Sequence, residues 1–466
     1  MRCKPLLMTA VAATALISQS ARAGSPSFDT NWEDPLGAAS AVTFPDEAFA
    51  VTIDQNGYIF TFTQDHAVDK IGCRRYLSNR TFDSGNSSSN NTTNNPIGSG
   101  STAKPFVAYA TTNYVYTAGV AYSGSESNWY IMRFSKSCAP APWTQDAGGT
   151  MGSGGNTASY SVTSNGAALY GVTNGYDEID GLYVNADETR ITVSGHHGFA
   201  NSQLAAGAEG QAAVGRFDAS TGLPIWVKTH HPSGSGGAGG HYDAADGALA
   251  MYTDNGTNYI YIAGRQAGNG ISGIGAKAMV ARFTDAGDTA PSAPTTATPY
   301  AHSNPFLSPV ATAGAVVDST GVYVGGYLSN FFGGVPSGTF VLKFNLGLSA
   351  QTATPYLPAE TESRFTRTIA VDNSAGRGYV YVIGAVKTGT SGDTSLVRLN
   401  ASNLVKDTVA SPNWCHQSNV NCADGTEQTP GGIAQTGDTF YIVAFSTGFS
   451  GYSTKKNPII FSATGF

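Results

Sequence analysis

The chain has 466 residues, a net charge of −7 and only 12% charged residues. No basic run offsets that acidic balance, which excludes the electrostatic footprint of a nucleic-acid binder. Leu, Glu and Lys are scarce beside Tyr, Thr, Ser and Asn, and 57 glycines punctuate the chain, a composition suited to strands and turns rather than helices.

The chain opens with Arg2 and Lys4, an apolar run from Leu6 to Ile17, and Ala21-Arg22-Ala23. This is the order of a secretion signal with a small-x-small cleavage site, so residues 1–23 are predicted to be removed and the mature chain to begin at Gly24. The run is too short to span a bilayer and no later segment is longer, so no membrane span is expected. The mature protein is predicted to be secreted or periplasmic, and a monomer. Residues 24–45 carry Phe28-Asp29-Thr30-Asn31-Trp32, which has the pattern of a strand.

An aromatic-rich strand ending near a small residue then returns seven times. It reads Tyr58-Ile59-Phe60-Thr61-Phe62, Val115-Tyr116-Thr117-Ala118-Gly119, Ile191-Thr192-Val193-Ser194-Gly195 and Ile260-Tyr261-Ile262-Ala263-Gly264. It continues as Val322-Tyr323-Val324-Gly325-Gly326, Val380-Tyr381-Val382-Ile383-Gly384 and Phe440-Tyr441-Ile442-Val443-Ala444. A repeat of this length holding several strands predicts a propeller. The expectation is an all-β, seven-bladed β-propeller over residues 24–466, with four-stranded blades.

Each repeat parses into strands a to d. Strand a is small and apolar, and an Asp-x-x-Gly turn such as Asp54 to Gly57 or Asp318 to Gly321 leads into strand b, the phrase above. Strand c ends in a cation beside an apolar residue: Arg75-Tyr76, Arg133-Phe134, Arg216-Phe217, Arg282-Phe283, Lys343-Phe344 and Arg398-Leu399. One cation per blade predicts a stacking role between blades rather than a ligand ring. Strand d carries Trp143, Trp226 and Trp414, and the last repeat ends at Phe466 before it reaches one. The Phe28–Trp32 segment supplies it, so the N-terminal strand is predicted to close the ring, which removes open sheet edges.

Segments such as Tyr261-Ile262-Ala263-Gly264 followed by Met279-Val280-Ala281-Arg282-Phe283 resemble the bacterial seven-bladed β-propeller repeat family. The resemblance covers most of the mature chain through short, degenerate matches, and the last repeat lacks the strand-c cation. It implies the fold and an extracytoplasmic setting, and no single activity.

Four cysteines follow Gly24, and four allow three pairings. Cys415 and Cys422 share a loop and are expected to pair, which leaves Cys73 with Cys138 to join the first two blades. The connections after strand d are long, from Ser84 to Ala103, Asp146 to Asp177, His231 to Asp246 and Cys415 to Pro430. Loops of such length usually carry function, and the eight histidines fall toward their side of the ring. His196, His197, His230, His231 and His241 are candidate ligands for a divalent metal. Glu47, Lys104, Asp180, Asp246 and Arg367 precede the inner strands and, with Arg265, are candidate ligand-binding residues at the channel mouth.

No nucleophile–base motif stands out beyond the repeats. The first functional reading is therefore a secreted binding or scaffold protein presenting a site for a carbohydrate or protein ligand on the long-loop face. The alternative is a metal-assisted hydrolase or lyase, acting on a polysaccharide or small exported substrate through the His-rich loops of blades three and four.

Overall fold

A computed structural model describes residues 27–35, 47–65, 70–86, 102–123, 126–153, 156–172, 175–200, 210–232, 243–266, 276–303, 307–330, 336–357, 365–372, 378–388, 391–407, 414–415, 428–437, 439–447 and 456–464. Among them there is no α-helix, and so no helix long and apolar enough to cross a membrane. The proposed signal sequence, His66, His241, His416 and Cys422 lie outside the described residues, as does 87–101 of the Ser84-to-Ala103 connection.

In chain order, β1 (Ser27–Pro35) stands alone before a first sheet of β2 (Glu47–Ile53), β3 (Ile59–Asp65) and β4 (Lys70–Tyr76). The second sheet holds β5 (Thr102–Ala110), β6 (Tyr114–Ser123), β7 (Glu126–Ser135), β8 (Asp146–Ser153), β9 (Asn156–Val162) and β10 (Ala168–Val172). The third is β11 (Gly175–Val184), β12 (Arg190–Ala200), β13 (Gln211–Asp218) and β14 (Pro224–His230). The fourth is β15 (Ala250–Asp254), β16 (Thr257–Gln266), β17 (Lys277–Thr284) and β18 (Thr295–Thr296). The fifth is β19 (Leu307–Asp318), β20 (Gly321–Asn330) and β21 (Pro336–Phe344). The sixth is β22 (Phe365–Asp372), β23 (Tyr379–Thr388), β24 (Ser391–Asn400) and β25 (Trp414–Cys415). The last is β26 (Gln428–Thr436), β27 (Thr439–Thr447) and β28 (Lys456–Thr464), and β1 completes it by pairing antiparallel with β28, Phe28 opposite Ala463.

These sheets form an all-β propeller. The apolar residues of every strand-b phrase are buried on both faces, which is why the phrases read as continuous apolar runs. Each hydrophobic core lies between two sheets rather than within one. Phe62 meets Phe134 across the first and second sheets. Trp129 and Ile179 share a core across the second and third, Val214 and Ile262 across the third and fourth, and Tyr261 and Val324 across the fourth and fifth. Tyr323 and Val382 join the fifth to the sixth, Tyr381 and Ile442 the sixth to the last, and Ile59 and Val443 the last to the first. Fully burying such side chains contributes about 1.5–3 kcal/mol each.

The strand-c cations clamp neighbouring sheets together. Arg75 donates to the Lys136 carbonyl, Arg133 to that of Ala219, Arg216 to that of Gly287, Arg282 to that of Leu346 and Lys343 to that of Ala401. Every acceptor sits in the turn after strand c of the following sheet. The cations also lie over rings, Arg133 at 4.4 Å from Tyr114 and Arg282 at 4.4 Å from Tyr259. Trp143 and Trp226 send their indole N–H groups to the same Ala219 and Gly287 carbonyls. These residues are thereby occupied by packing.

Four equal strands per sheet is not what the structure shows. In the first and fifth sheets the outer strand shrinks to isolated bridges, Tyr76 with Phe82 and Val341 with Tyr356. The second sheet has six strands. The span from Asp146 to Asp177, expected as a loop, folds into β8, β9 and β10; β10 takes the outer place beside β7, and β9 and β8 extend the sheet beyond it.

Cys73 and Cys138 form a disulfide between the first and second sheets, with Cα atoms 5.5 Å apart and a sequence separation of 65. The Cys415 side chain and Cys422 are not among the described residues. In a chain-entropy treatment a loop of that size is worth about 4 kcal/mol. Cys73→Ser is expected to lose most of this in denaturant unfolding, and reductant is expected to destabilise the wild type but not the variant. Equal midpoints for the two proteins would show that the bond contributes nothing.

Candidate functional site

The inner strands share one irregularity. The register slips between Ala48 and Ala50, Pro105 and Val107, Ile179 and Gly181, Thr366 and Thr368, and Pro430 and Gly432, each time leaving one unpaired residue in the inner strand. Such bulges bend a strand and re-aim a side chain. They press the inner backbone onto strand b, where a Cβ on Gly119, Gly195, Gly264 or Gly326 would lie 1.9–2.0 Å from the carbonyl oxygens of Lys104, Glu178, Ala244 and Val310 respectively. The glycine that ends these four phrases is therefore a requirement for close backbone approach.

This places equivalent residues. Two positions beyond the pressed carbonyl stand Phe106, Asp180, Asp246 and Thr312, and the register adds Phe49, Arg367 and Gly431. Asp180, Asp246 and Arg367 thus share one structural position. Glu47 and Lys104 stand two residues earlier, opposite Gln64 and Val120, so the five predicted rim residues do not form one ring. The side chains of Glu47 and Arg367 are not among those described.

In the third sheet the bulge residue, Asp180, is an acid, as is Asp246 at the matching place in the fourth, and the residue after the strand-b glycine is His196 or Arg265. Asp180 Oδ2 lies 3.8 Å from His196 Nδ1, Glu178 Oε2 lies 3.9 Å from His196 Nε2, and Asp246 Oδ2 lies 3.6 Å from Arg265 Nε. His196 is buried. Burial, with the Arg265 and His197 charges adding to it, pushes the His196 pKa down from 6.5 to about 3, so the imidazole is neutral across the physiological range. Burial pushes the Asp246 carboxyl up, against the opposing Arg265 cation. Two equivalent corners of adjacent sheets thus bring together a carboxyl with a raised pKa, a neutral imidazole and a guanidinium.

A second pair braces this corner. His197 Nδ1 and Asp177 Oδ1 are 2.7 Å apart with both side chains fully buried. The His197 ring sits 5.2 Å from Tyr170 and 5.8 Å from Trp129, and the Trp129 indole donates to the His196 carbonyl. The Gly198 amide donates to Asp177 Oδ1. These contacts fix the end of β12 from which His196 projects.

The candidate metal ligands are divided by strand alternation. His196 and His230 both stand in line with Ala212, whereas His197 is opposite Gln211 and packs toward the second sheet. His231 Nδ1 is 2.5 Å from Asp243 Oδ2, and His230 stacks edge-on to Phe283 with its pKa lowered chiefly by burial. Among the described residues, no three His, Cys, Asp or Glu side chains form a group able to hold a metal ion.

The His196 shift has a measurable consequence. The folded state takes up its proton only near pH 3, the unfolded chain near pH 6.5, so stability is intact above pH 6.5 and falls as the pH drops toward 3. The loss is about 3 kcal/mol by pH 4.5. Thermal melts between pH 7 and 4.5 are expected to show a flatter dependence in His196→Gln than in the wild type. Parallel curves would remove His196 as the source.

No known protein-family model matches this chain, and no curated protein does. Solved structures are similar to it. Polysaccharide lyase Uly1 is 8% identical, with 92% of this chain and 91% of that chain covered and a TM-score of 0.46. An endosialidase of phage phi92 is 10% identical over 93% of this chain and 69% of that one, with a TM-score of 0.41. An α-L-arabinofuranosidase from Lactobacillus brevis is 13% identical over 60% of this chain and 88% of that one, with a TM-score of 0.33. At these identities and scores the likeness says nothing of activity, and the chemistry rests on the residues themselves.

Proposed function

We propose that the inner seam between the third and fourth sheets is the active site of an exported enzyme that cleaves a saccharide by proton transfer. We also infer that the seven sheets are seven blades of one ring, on the support of the inter-sheet cores and the closing strand β1. The observation that carries the reading is the inverted pair, with Asp246 pushed toward its protonated form and His196 held neutral, each with Arg265 as a charged neighbour. Paired groups whose environments drive their pKa values apart are how acid and base roles are divided.

In this reading Asp246 donates its proton to the leaving glycosidic oxygen. His196, or the Glu178 carboxylate beside it, accepts a proton from water in a hydrolysis or from a sugar carbon in an elimination. Arg265 orients the substrate through its fixed cation and holds Asp246 in place. No serine or cysteine nucleophile is required. The Cys73–Cys138 disulfide supports an oxidising, extracytoplasmic setting.

The test is incubation of the mature chain with a panel of neutral and uronate-containing polysaccharides. New reducing ends without ultraviolet absorbance would show hydrolysis, and ends with the absorbance of an unsaturated sugar would show elimination. Binding without new ends would return the protein to a binding or scaffold role.

A further inference from the structure

At the other end of the third and fourth sheets, the turns enclose a cavity of about 350 Å3. It lies away from Asp246 and His196, between the turn that follows β11 and the turns that follow β15 and β17. Its walls include Tyr183, Tyr252, Arg190, Arg216, Asp285 and Asp288. The volume is at the low end of the roughly 300–1,000 Å3 typical of small-molecule sites.

Its charges are already matched. Arg216 Nη2 donates to Asp285 Oδ2 at 2.9 Å. Arg190 grips both oxygens of Asp288 at 2.5 and 2.6 Å. An incoming anion would meet two carboxylates and an incoming cation two guanidinium groups. A hydroxyl suits the site better, since it accepts from one partner and donates to the other.

One atom points to a missing partner. The Arg216 side chain is 6% exposed, yet its Nε is buried without an acceptor. Arg75, Arg133 and Arg398, at the same place in other sheets, each donate Nε to Asp83, Ala141 or Asp407. An unmet buried donor of this kind costs about 1–3 kcal/mol.

We propose that this cavity binds one neutral sugar unit, with a hydroxyl oxygen accepting from Arg216 Nε and the Tyr183 and Tyr252 rings packing on sugar C–H groups. The sugar is either free or the end of a neutral glycan chain. The proposal does not depend on turnover at the inner seam.

The experiment is saturation-transfer NMR on the mature chain with glucose, galactose and arabinose, their methyl glycosides, and a short neutral oligosaccharide. Glucuronate serves as the charged control. Arg216→Lys is the decisive variant, because Lys343 makes the same clamp in the fifth sheet, so the fold is expected to survive while the Nε donor is lost. Binding of at least one neutral sugar is expected, weakened roughly tenfold or more in Arg216→Lys and in Tyr252→Ala, and retained in Asp246→Asn. Preference for free sugar over oligosaccharide would assign a free ligand, and the reverse a chain end. The proposal is overturned if no neutral sugar binds, if glucuronate binds better, or if both variants bind as the wild type does.

Discussion

Gly264→Val is expected to unfold the fourth sheet from its inner edge. A Cβ at residue 264 would stand 1.9 Å from the Ala244 oxygen and 2.7 Å from the Asp246 amide nitrogen. Both are backbone atoms, so no side-chain rotation relieves the overlap. The inner strand must move outward, and the cores on both faces of the sheet, around Ile262 and Tyr261, open with it. A loss of more than about 4 kcal/mol is expected, in the exceptional range for a single substitution. Denaturant unfolding reads it, with Ala444→Gly as the control. Ala444 holds the equivalent place opposite Pro430, and the change to glycine there is expected to cost only about 1 kcal/mol. A Gly264→Val protein as stable as the wild type would show that the close approach of the inner backbone does not constrain this position.

Asp246→Asn is expected to lower kcat by about 10²–10⁴-fold, the usual contribution of a positioned general acid. The amide keeps the shape and a polar contact to Arg265 but has no proton to give. Because the buried carboxyl sits in an environment that disfavours its charge, removing it is expected to leave the melting temperature unchanged or higher. The alkaline limb of the rate profile, which reports deprotonation of the acid, should disappear with it. A loss of less than tenfold, with the limb intact, would assign the proton transfer elsewhere.

The strand-b phrases made the propeller legible, because strands buried on both faces must be apolar throughout and the pressed inner backbone demands a glycine where four of the phrases end. The pairing of β1 with β28 was legible because the Phe28–Trp32 segment has the pattern of the outer strands in the other repeats. The three strands in 146–172 were not, because β8 and β9 are rich in Gly, Ser, Thr and Asn, a loop-like composition, and only scattered residues such as Ala158 and Val162 reach the core. The site was half legible. Asp180, Asp246, Arg265 and His196 are each conspicuous, yet they divide between two groups of candidates until the bulges align them. Aligning Gly195-His196 with Gly264-Arg265 would have exposed the match. The bulge offset separating Lys104 from Asp180 is a backbone property with no residue signature. The cavity around Arg216 escaped notice because short turns advertise nothing, and because the Arg itself is accounted for by its clamp.

Titration of the wild-type protein by NMR, with labelled histidine and aspartate and with His196→Gln and Asp246→Asn to assign the signals, tests the inverted pair at the centre of the proposed chemistry. The expected result is a His196 ring that stays neutral down to about pH 3 and an Asp246 carboxyl that titrates above 3.8. A His196 ring titrating near 6.5 and an Asp246 carboxyl at or below 3.8 would contradict it.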